Sequence, residues 1–204
     1  MIEITSYESV GKGKYRTTFD TGEICVLYRG EAVRFSISEG AFISEQQFEI
    51  LINEVVGKRA KKRALHLLEQ MDRSERKLRE KLEQGGYPQC CIDDAIEYVK
   101  SFHYLDDYRF ACTYVRYHQS SLSRQQLSQK LMTKGIGRDD IERALEEEYS
   151  ADEDEHIIKL LSKKNYDPKN CDDGEFCRIY QYIMRRGFKS GSILRIMKNY
   201  ENYI

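Results

Sequence analysis

Two prolines in 204 residues leave few forced helix breaks and argue against long disordered tracts. Apolar runs are short as well. None approaches the roughly 20 residues that a membrane-spanning helix needs, so no membrane span is expected. The opening MIEITSYESV lacks a basic start followed by an apolar stretch. That predicts no secretory signal and a cytoplasmic location. Cysteines stand at 25, 90, 91, 112, 171 and 177, with no C-x-x-C pair to seed a tetrahedral zinc site. They are expected to stay reduced and to fill helix interfaces as small residues, and no metal is predicted. Net charge is missing too, because 33 basic side chains meet 34 acidic ones for a total of −1. A protein held to DNA mainly through phosphates shows a basic excess, so any steering here must come from local clusters.

Signatures of catalysis are equally scarce. There is no G-x-x-x-x-G-K-[ST] loop to cradle phosphates, and Gly11-Lys12-Gly13-Lys14 reads as a hairpin lead-in. Histidines 66, 103, 118 and 156 fall in no H-E-x-x-H spacing, and no serine sits in G-x-S-x-G. The acidic pairs Asp93-Asp94 and Asp139-Asp140 are expected to precede or open helices, where carboxylates offset the helix dipole. The sequence therefore predicts no catalytic residue, no cofactor and no enzyme activity.

What is present is a small β start followed by helices. Large side chains alternate in Tyr15-Arg16-Thr17-Thr18-Phe19 and again at Ile24, Val26 and Tyr28, with Asp20-Thr21-Gly22-Glu23 offering turn chemistry between them. This predicts a hairpin, with a third strand drawn from Ile2–Thr5 or Ala32–Phe35. From Ser44 the period changes. Ser44-x-x-Gln47 is a capping box, and Phe48, Leu51, Ile52 and Val55 follow at helical spacing. Helix stops are expected at Gly57, Gly85-Gly86, Gly135 and Gly187. Starts are expected at Asp72-x-x-Glu75, Ser123-x-x-Gln126 and Asp139-x-x-Glu142.

Three of those glycines organise a repeat. Leu78, Leu82, Gly86-Tyr87, Ile92 and Ile96 align with Leu127, Leu131, Gly135-Ile136, Ile141 and Leu145, then with Ile179, Ile183, Gly187-Phe188, Ile193 and Met197. In each, a helix delivers two apolar residues to one face and the glycine takes the left-handed position that ends it. The next residue plugs the corner, and a second helix repeats the stripe. Each segment follows another apolar helical stretch, at Ala64–Met71, Phe110–Tyr117 and Ile157–Leu161. The fold expected is mainly α, with three tandem three-helix repeats preceded by a small N-terminal β-hairpin segment. The boundaries are 1–43 for the β-rich extension, 44–104 for the helical lead-in and repeat 1, 105–150 for repeat 2 and 151–204 for repeat 3. Stacked repeats expose a large surface per residue, which suits an extended partner.

The second repeat carries a more specific pattern. It reads Tyr104-Leu105-Asp106-Asp107-Tyr108-Arg109-Phe110-Ala111, then Tyr114-Val115-Arg116, Lys134-Gly135-Ile136 and Ile141-Glu142-Arg143-Ala144-Leu145. This resembles the RecX family of bacterial regulatory proteins, whose central module runs Y-L-D-D-x-R-F-A, then K-G-I, then I-x-x-A-L. Arg185-Arg186-Gly187-Phe188 is a variant of the family's K-G-F. The first repeat and the β-rich extension match more loosely. The resemblance implies a monomeric, non-catalytic partner of RecA, free and as its filament on single-stranded DNA, with weak direct DNA binding in some members. It implies suppression of ATP hydrolysis, strand exchange and co-protease activity, and so a place in homologous recombination, DNA repair and the SOS response. The rival reading is a helix-turn-helix transcriptional regulator that binds DNA alone, since three-helix modules look alike.

Candidate partner- or DNA-binding residues are Lys58, Arg59, Lys61, Lys62, Arg63, Arg109, Arg116, Arg124, Lys130, Arg185 and Arg186. The dense run from Lys58 to Arg63 is either a solvated helix face or a contact with phosphates or an acidic filament surface. Arg109 either pairs with Asp106 or faces the partner. Asp106 is placed to cap the helix that follows, with Leu105, Phe110 and Tyr114 in the module core. The stretch Glu146–Glu155, with seven carboxylates in ten residues, is either a solvated junction or a strip that repels phosphates.

Overall fold

The computed structural model describes residues 1–203, and the chain divides into two compact units, one ending at Asp106 and one starting at Asp107. In the first unit, strands β1 (Ile2–Gly11), β2 (Lys14–Phe19), β3 (Ile24–Tyr28) and β4 (Phe42–Ile43) form one sheet in the order β3-β2-β1-β4. All its pairings are antiparallel. Gly13 at φ +68° and Gly22 at φ +90° close the two hairpins. Alternation puts Ile2, Ile4, Phe19, Cys25 and Leu27 on the buried face. The third strand is thus β1, and it runs well past Thr5. Ala32–Phe35 is not a strand: helix α1 (Arg29–Arg34) starts at once after β3, where the Tyr28 backbone N–H donates to Glu31 Oε2 at 2.7 Å.

Ser44 caps as its box predicts, accepting from the Gln47 N–H at 3.1 Å while its own N–H donates to Gln47 Oε1 at 3.0 Å. The helix that follows does not stop at Gly57. It passes from α2 (Glu45–Glu49) through a π-helical stretch, Ile50–Gly57, into α3 (Lys58–Gln70). Gly57 has ordinary helical angles and is buried. A Cβ on it would lie 3.3 Å from the Ile52 carbonyl oxygen and 3.9 Å from Cys91 Sγ, so the glycine serves close approach here, not termination. Helix α4 (Glu75–Gln84) starts later than Asp72 suggests, because Ser74 accepts from the Lys77 N–H at 3.4 Å. Helix α5 (Gln89–Ser101) completes the unit. The sheet face, α3, α4 and α5 share one hydrophobic cluster, and Leu105 belongs to it instead of to the second repeat.

The second unit holds α6 (Asp107–His118), α7 (Arg124–Thr133), α8 (Arg138–Glu148), α9 (Glu153–Lys163), α10 (Asp173–Met184), α11 (Ser190–Lys198) and a 3-10 turn at Tyr200–Tyr203. Its apolar residues form two clusters, one from α6, α7 and α8 and one from α9, α10 and α11. Ser123 caps α7. Helix α8 begins after Gly137, so Asp139 and Asp140 occupy its first turn. Asp93 and Asp94, by contrast, lie inside α5, and Asp93 pairs with Arg79 of α4 at 2.5 Å.

The repeat appears as three helix trios, α3-α4-α5, α6-α7-α8 and α9-α10-α11. Gly86, Gly135 and Gly187 have φ of +75°, +89° and +81°. Gly86 and Tyr87 donate to the Glu83 and Leu82 carbonyls at 2.8 and 3.4 Å, and Gly135 and Ile136 to those of Met132 and Leu131 at 2.9 and 3.2 Å. These bonds satisfy the last carbonyls of each central helix. Every aligned apolar residue is buried except Tyr87, which is half-buried.

Candidate functional site

Each described corner of the first and third trios is held by an element outside its own trio. At the first corner, the Val26 N–H of β3 donates to the Gly86 carbonyl at 2.8 Å. A Cβ on Gly86 would sit inside the Val26 side chain, 2.9 Å from Val26 Cβ. At the third, the Ser123 hydroxyl donates to the Arg186 carbonyl at 2.5 Å, and a Cβ on Gly187 would lie 2.8 Å from Gln125 Cβ. The chain therefore uses the left-handed corner both to end a helix and to admit a neighbour closely.

The basic run on α3 splits between two jobs. Arg59 turns inward: its guanidinium donates to Glu31 Oε2 and to the Val26 carbonyl, both at 2.5 Å, and lies over the rings of Tyr28 and Tyr87 at 4.6 and 5.4 Å. Only 18% of that side chain is exposed. It ties the sheet to α1 and α3. Lys58 pairs with Glu54 on the same helix, and Lys61 lies 3.9 Å from Asp94 and over the Tyr98 ring at 5.7 Å. Lys62 and Arg63 are exposed and make no hydrogen bond or ion pair among the described residues, although Arg63 lies near enough to Tyr87 to interact with it electrostatically. Tyr98 continues into an exposed aromatic ladder with Phe102 and Tyr104, ring centroids 5.1 and 6.0 Å apart.

The remaining candidates lie on the second unit. Arg109 and Lys130 are exposed. Arg116 makes a two-armed pair with Glu148, at 2.9 and 2.5 Å, and that hydrogen bonding holds the Glu148 carboxyl below its usual range. Arg124 donates to the Leu145 carbonyl at 3.2 Å. Arg185 reaches Gln181 at 3.5 Å, and Arg186 stacks over Tyr182 at 3.7 Å. Arg116 and Arg124 are thus held by α8, and Arg185 and Arg186 by α10.

The acidic stretch is largely spoken for within its own unit. Glu147 accepts from the Tyr108 hydroxyl, which raises the phenol's pKa. Asp152 caps α9, Glu153 accepts from Tyr149 at 3.4 Å, Asp154 pairs with Arg195 at 2.5 Å, and Glu155 with Lys159 at 3.2 Å. Cys25, Cys91 and Cys112 are buried as expected, whereas Cys90 and Cys177 are exposed and fill no interface. Among the described residues no group of three or more His, Cys, Asp or Glu is placed to hold a metal, and no helix is long and apolar enough to cross a membrane.

Two clefts flank the third corner, and no motif in the sequence announced them. One is lined by Ser120, Gln126, His156, Lys159, Lys163 and Arg186 with apolar neighbours. The other is lined by Arg124, Glu142, Glu146, Glu153 and Lys189 among others.

Comparison with known proteins fits this geometry at the first two trios. Residues 60–98 match the first three-helix domain of RecX and residues 106–145 match the second, which coincide with the trios around Gly86 and Gly135. These matches support a RecX family protein. Among the family's curated members, Regulatory protein RecX of Caldanaerobacter subterraneus subsp. tengcongensis is 26% identical over 190 residues, covering 93% of this chain and 90% of that one. Regulatory protein RecX of Clostridioides difficile is 27% identical over 181 residues, covering 87% and 84%. A crystal structure of a regulatory protein RecX superposes with a TM-score of 0.66 at 22% identity, over 98% of this chain and all of that one. RecX from Lactobacillus salivarius gives 0.59 at 20% identity, over 71% and 96%. These two are likenesses of fold.

Proposed function

We propose that this chain regulates the recombinase RecA by binding it, free and as its filament on single-stranded DNA, without catalysing a reaction. Binding lowers ATP hydrolysis, strand exchange and co-protease activity, and so adjusts homologous recombination and the SOS response in the cytoplasm. The reading rests on one observation above the others: the two RecX three-helix domains match in order onto trios built around left-handed glycine corners. In this reading each of the three repeats, over 44–104, 105–150 and 151–204, contributes a surface to the contact with a polymer. Lys62, Arg63, Lys130 and Arg185 are exposed and available to phosphates or acidic groups. Arg59, held by Glu31, Val26 and two rings, is left out of that surface.

The test is RecA-driven ATP hydrolysis on single-stranded DNA. Substoichiometric protein is expected to slow it, and a Lys61→Glu, Lys62→Glu double variant of unchanged stability to slow it less. Unchanged hydrolysis, with no complex on a sizing column, overturns the proposal. Affinity for DNA alone that falls steeply with salt and ignores RecA supports a DNA-binding transcriptional regulator instead.

A further inference from the structure

A cleft of about 630 Å³ opens in the second unit where α9 passes the loop before α7. Its volume lies within the roughly 300–1,000 Å³ range of small-molecule sites. Three cations reach it and no carboxylate lines it: Lys159, Lys163 and Arg186 stand at its rim with the hydroxyls of Ser120, Ser121 and Ser162. Lys163 has no partner among the described residues. Among the described residues the Lys159 ammonium is engaged only by exposed Glu155 on its own helix, and the Arg186 guanidinium only by the Tyr182 carbonyl and ring. The apolar part of the lining comes from Ile158, Leu160 and Phe188.

His156 supplies the independent pointer. It lines this cleft at 7% exposure, edge-on to Phe188 at 6.3 Å, and its Nδ1 has no hydrogen-bond partner among the described residues. Leaving a buried ring nitrogen unpaired is costly, and a ligand hydrogen bond would relieve that cost.

From this arrangement we propose that the cleft is a nucleotide site, with the base ring against Phe188 and His156 and the phosphate among Lys163, Arg186 and the serine hydroxyls. A bare phosphate would leave the apolar lining unfilled. An apolar ring without charge would leave Lys163 unanswered. The cleft on the other side of the same corner has a matching volume, about 630 Å³, but is lined by Glu142, Glu146 and Glu153, which repel phosphate. It provides the internal control. The site stands apart from the RecA reading and needs no RecA in its test.

The full chain is titrated, without RecA, with two fluorescent probes: a deoxyadenosine monophosphate carrying a methylanthraniloyl group, and a fluorescein-labelled short oligothymidine. Binding of the mononucleotide identifies a free nucleotide as ligand, and binding of the oligonucleotide alone identifies a strand. Lys163→Glu is expected to weaken whichever binds by about tenfold, and Arg186→Gln by a similar factor. Lys189→Glu at the acidic cleft is expected to change it less than about twofold. Saturating probe should also shift the His156 imidazole signals in the NMR spectrum of the parent protein, a response that a purely structural histidine would not give. Neither probe binding, or Lys163→Glu binding as the parent does with unshifted His156 signals, overturns the proposal.

Discussion

The Gly86 and Gly187 corners share a backbone conformation and differ in what leans on them. Against Gly86 lies Val26, a residue of β3 whose N–H is bonded to the glycine's own carbonyl at 2.8 Å. Against Gly187 lies Gln125, an exposed residue in the first turn of α7, with Ser123 beside it holding the Arg186 carbonyl. A β-branched side chain locked in a sheet cannot retreat. A helix-surface glutamine can rotate its amide end away, which leaves only the contact with its Cβ at 2.8 Å and a smaller strain. The same sequence signature, a glycine flanked by apolar stripes, therefore marks one rigid and one more forgiving joint.

Substitutions grade that difference. Gly86→Ala carries both the left-handed backbone penalty and the collision with Val26, and should cost about 3–4 kcal/mol by urea unfolding. It should also expose Cys25, next to Val26, whose thiol burial pushes up to about 12. In the parent protein at neutral pH a thiol reagent should modify Cys90 and Cys177 quickly and leave Cys25 untouched. A Gly86→Ala protein of parental stability and unreactive Cys25 would break the distinction. Gly187→Ala should cost about 2 kcal/mol, from the backbone penalty and a shift of Gln125. Ser123→Ala removes the α7 cap and the bond to Arg186, for about 1.5 kcal/mol. If it matches Gly187→Ala in a double-variant cycle with strong coupling, the hydroxyl and the glycine act as one joint. Gly137→Ala is the baseline: its φ is −64° and no atom lies within 4 Å of an added Cβ, so only the exchange of a good N-cap residue for a poor one remains, about 0.5–1 kcal/mol.

The corners were legible because a left-handed residue and its hydrophobic plug leave a chemical trace in the sequence. So did the Ser44 and Ser123 boxes. Gly57 left a misleading one, since a glycine that ends a helix and a glycine that admits Cys91 are spelled alike. The π-helical stretch was invisible for a related reason: Phe48, Leu51, Ile52 and Val55 satisfy an ordinary helical stripe. The second half of β1 was missed because Ser6–Val10 is mostly polar or exposed and shows no clean alternation. Among site residues, the run Lys58–Arg63 announces its charge but not which cations turn inward, and Arg59 does so only because Glu31, Tyr28 and Tyr87 arrive from elements far along the chain. The clefts beside Gly187 have no local spelling at all, since they arise from loops and helices meeting in space.

The wide-turned stretch Ile50–Gly57 works as a phase adjuster between two gears. Its buried residues, Leu51, Ile52, Val56 and Gly57, recur five apart, whereas those of α3, Ala60, Ala64 and Leu67, recur at three and four. Removing one residue from it would advance everything downstream by roughly 100° around the axis. Ala60 and Ala64 would then swing out of the core, Lys61 and Lys62 would point to new quarters, and Arg59 would lose its grip on the sheet. The compass bearing of the exposed cations is thus set by the length of a segment that carries none of them.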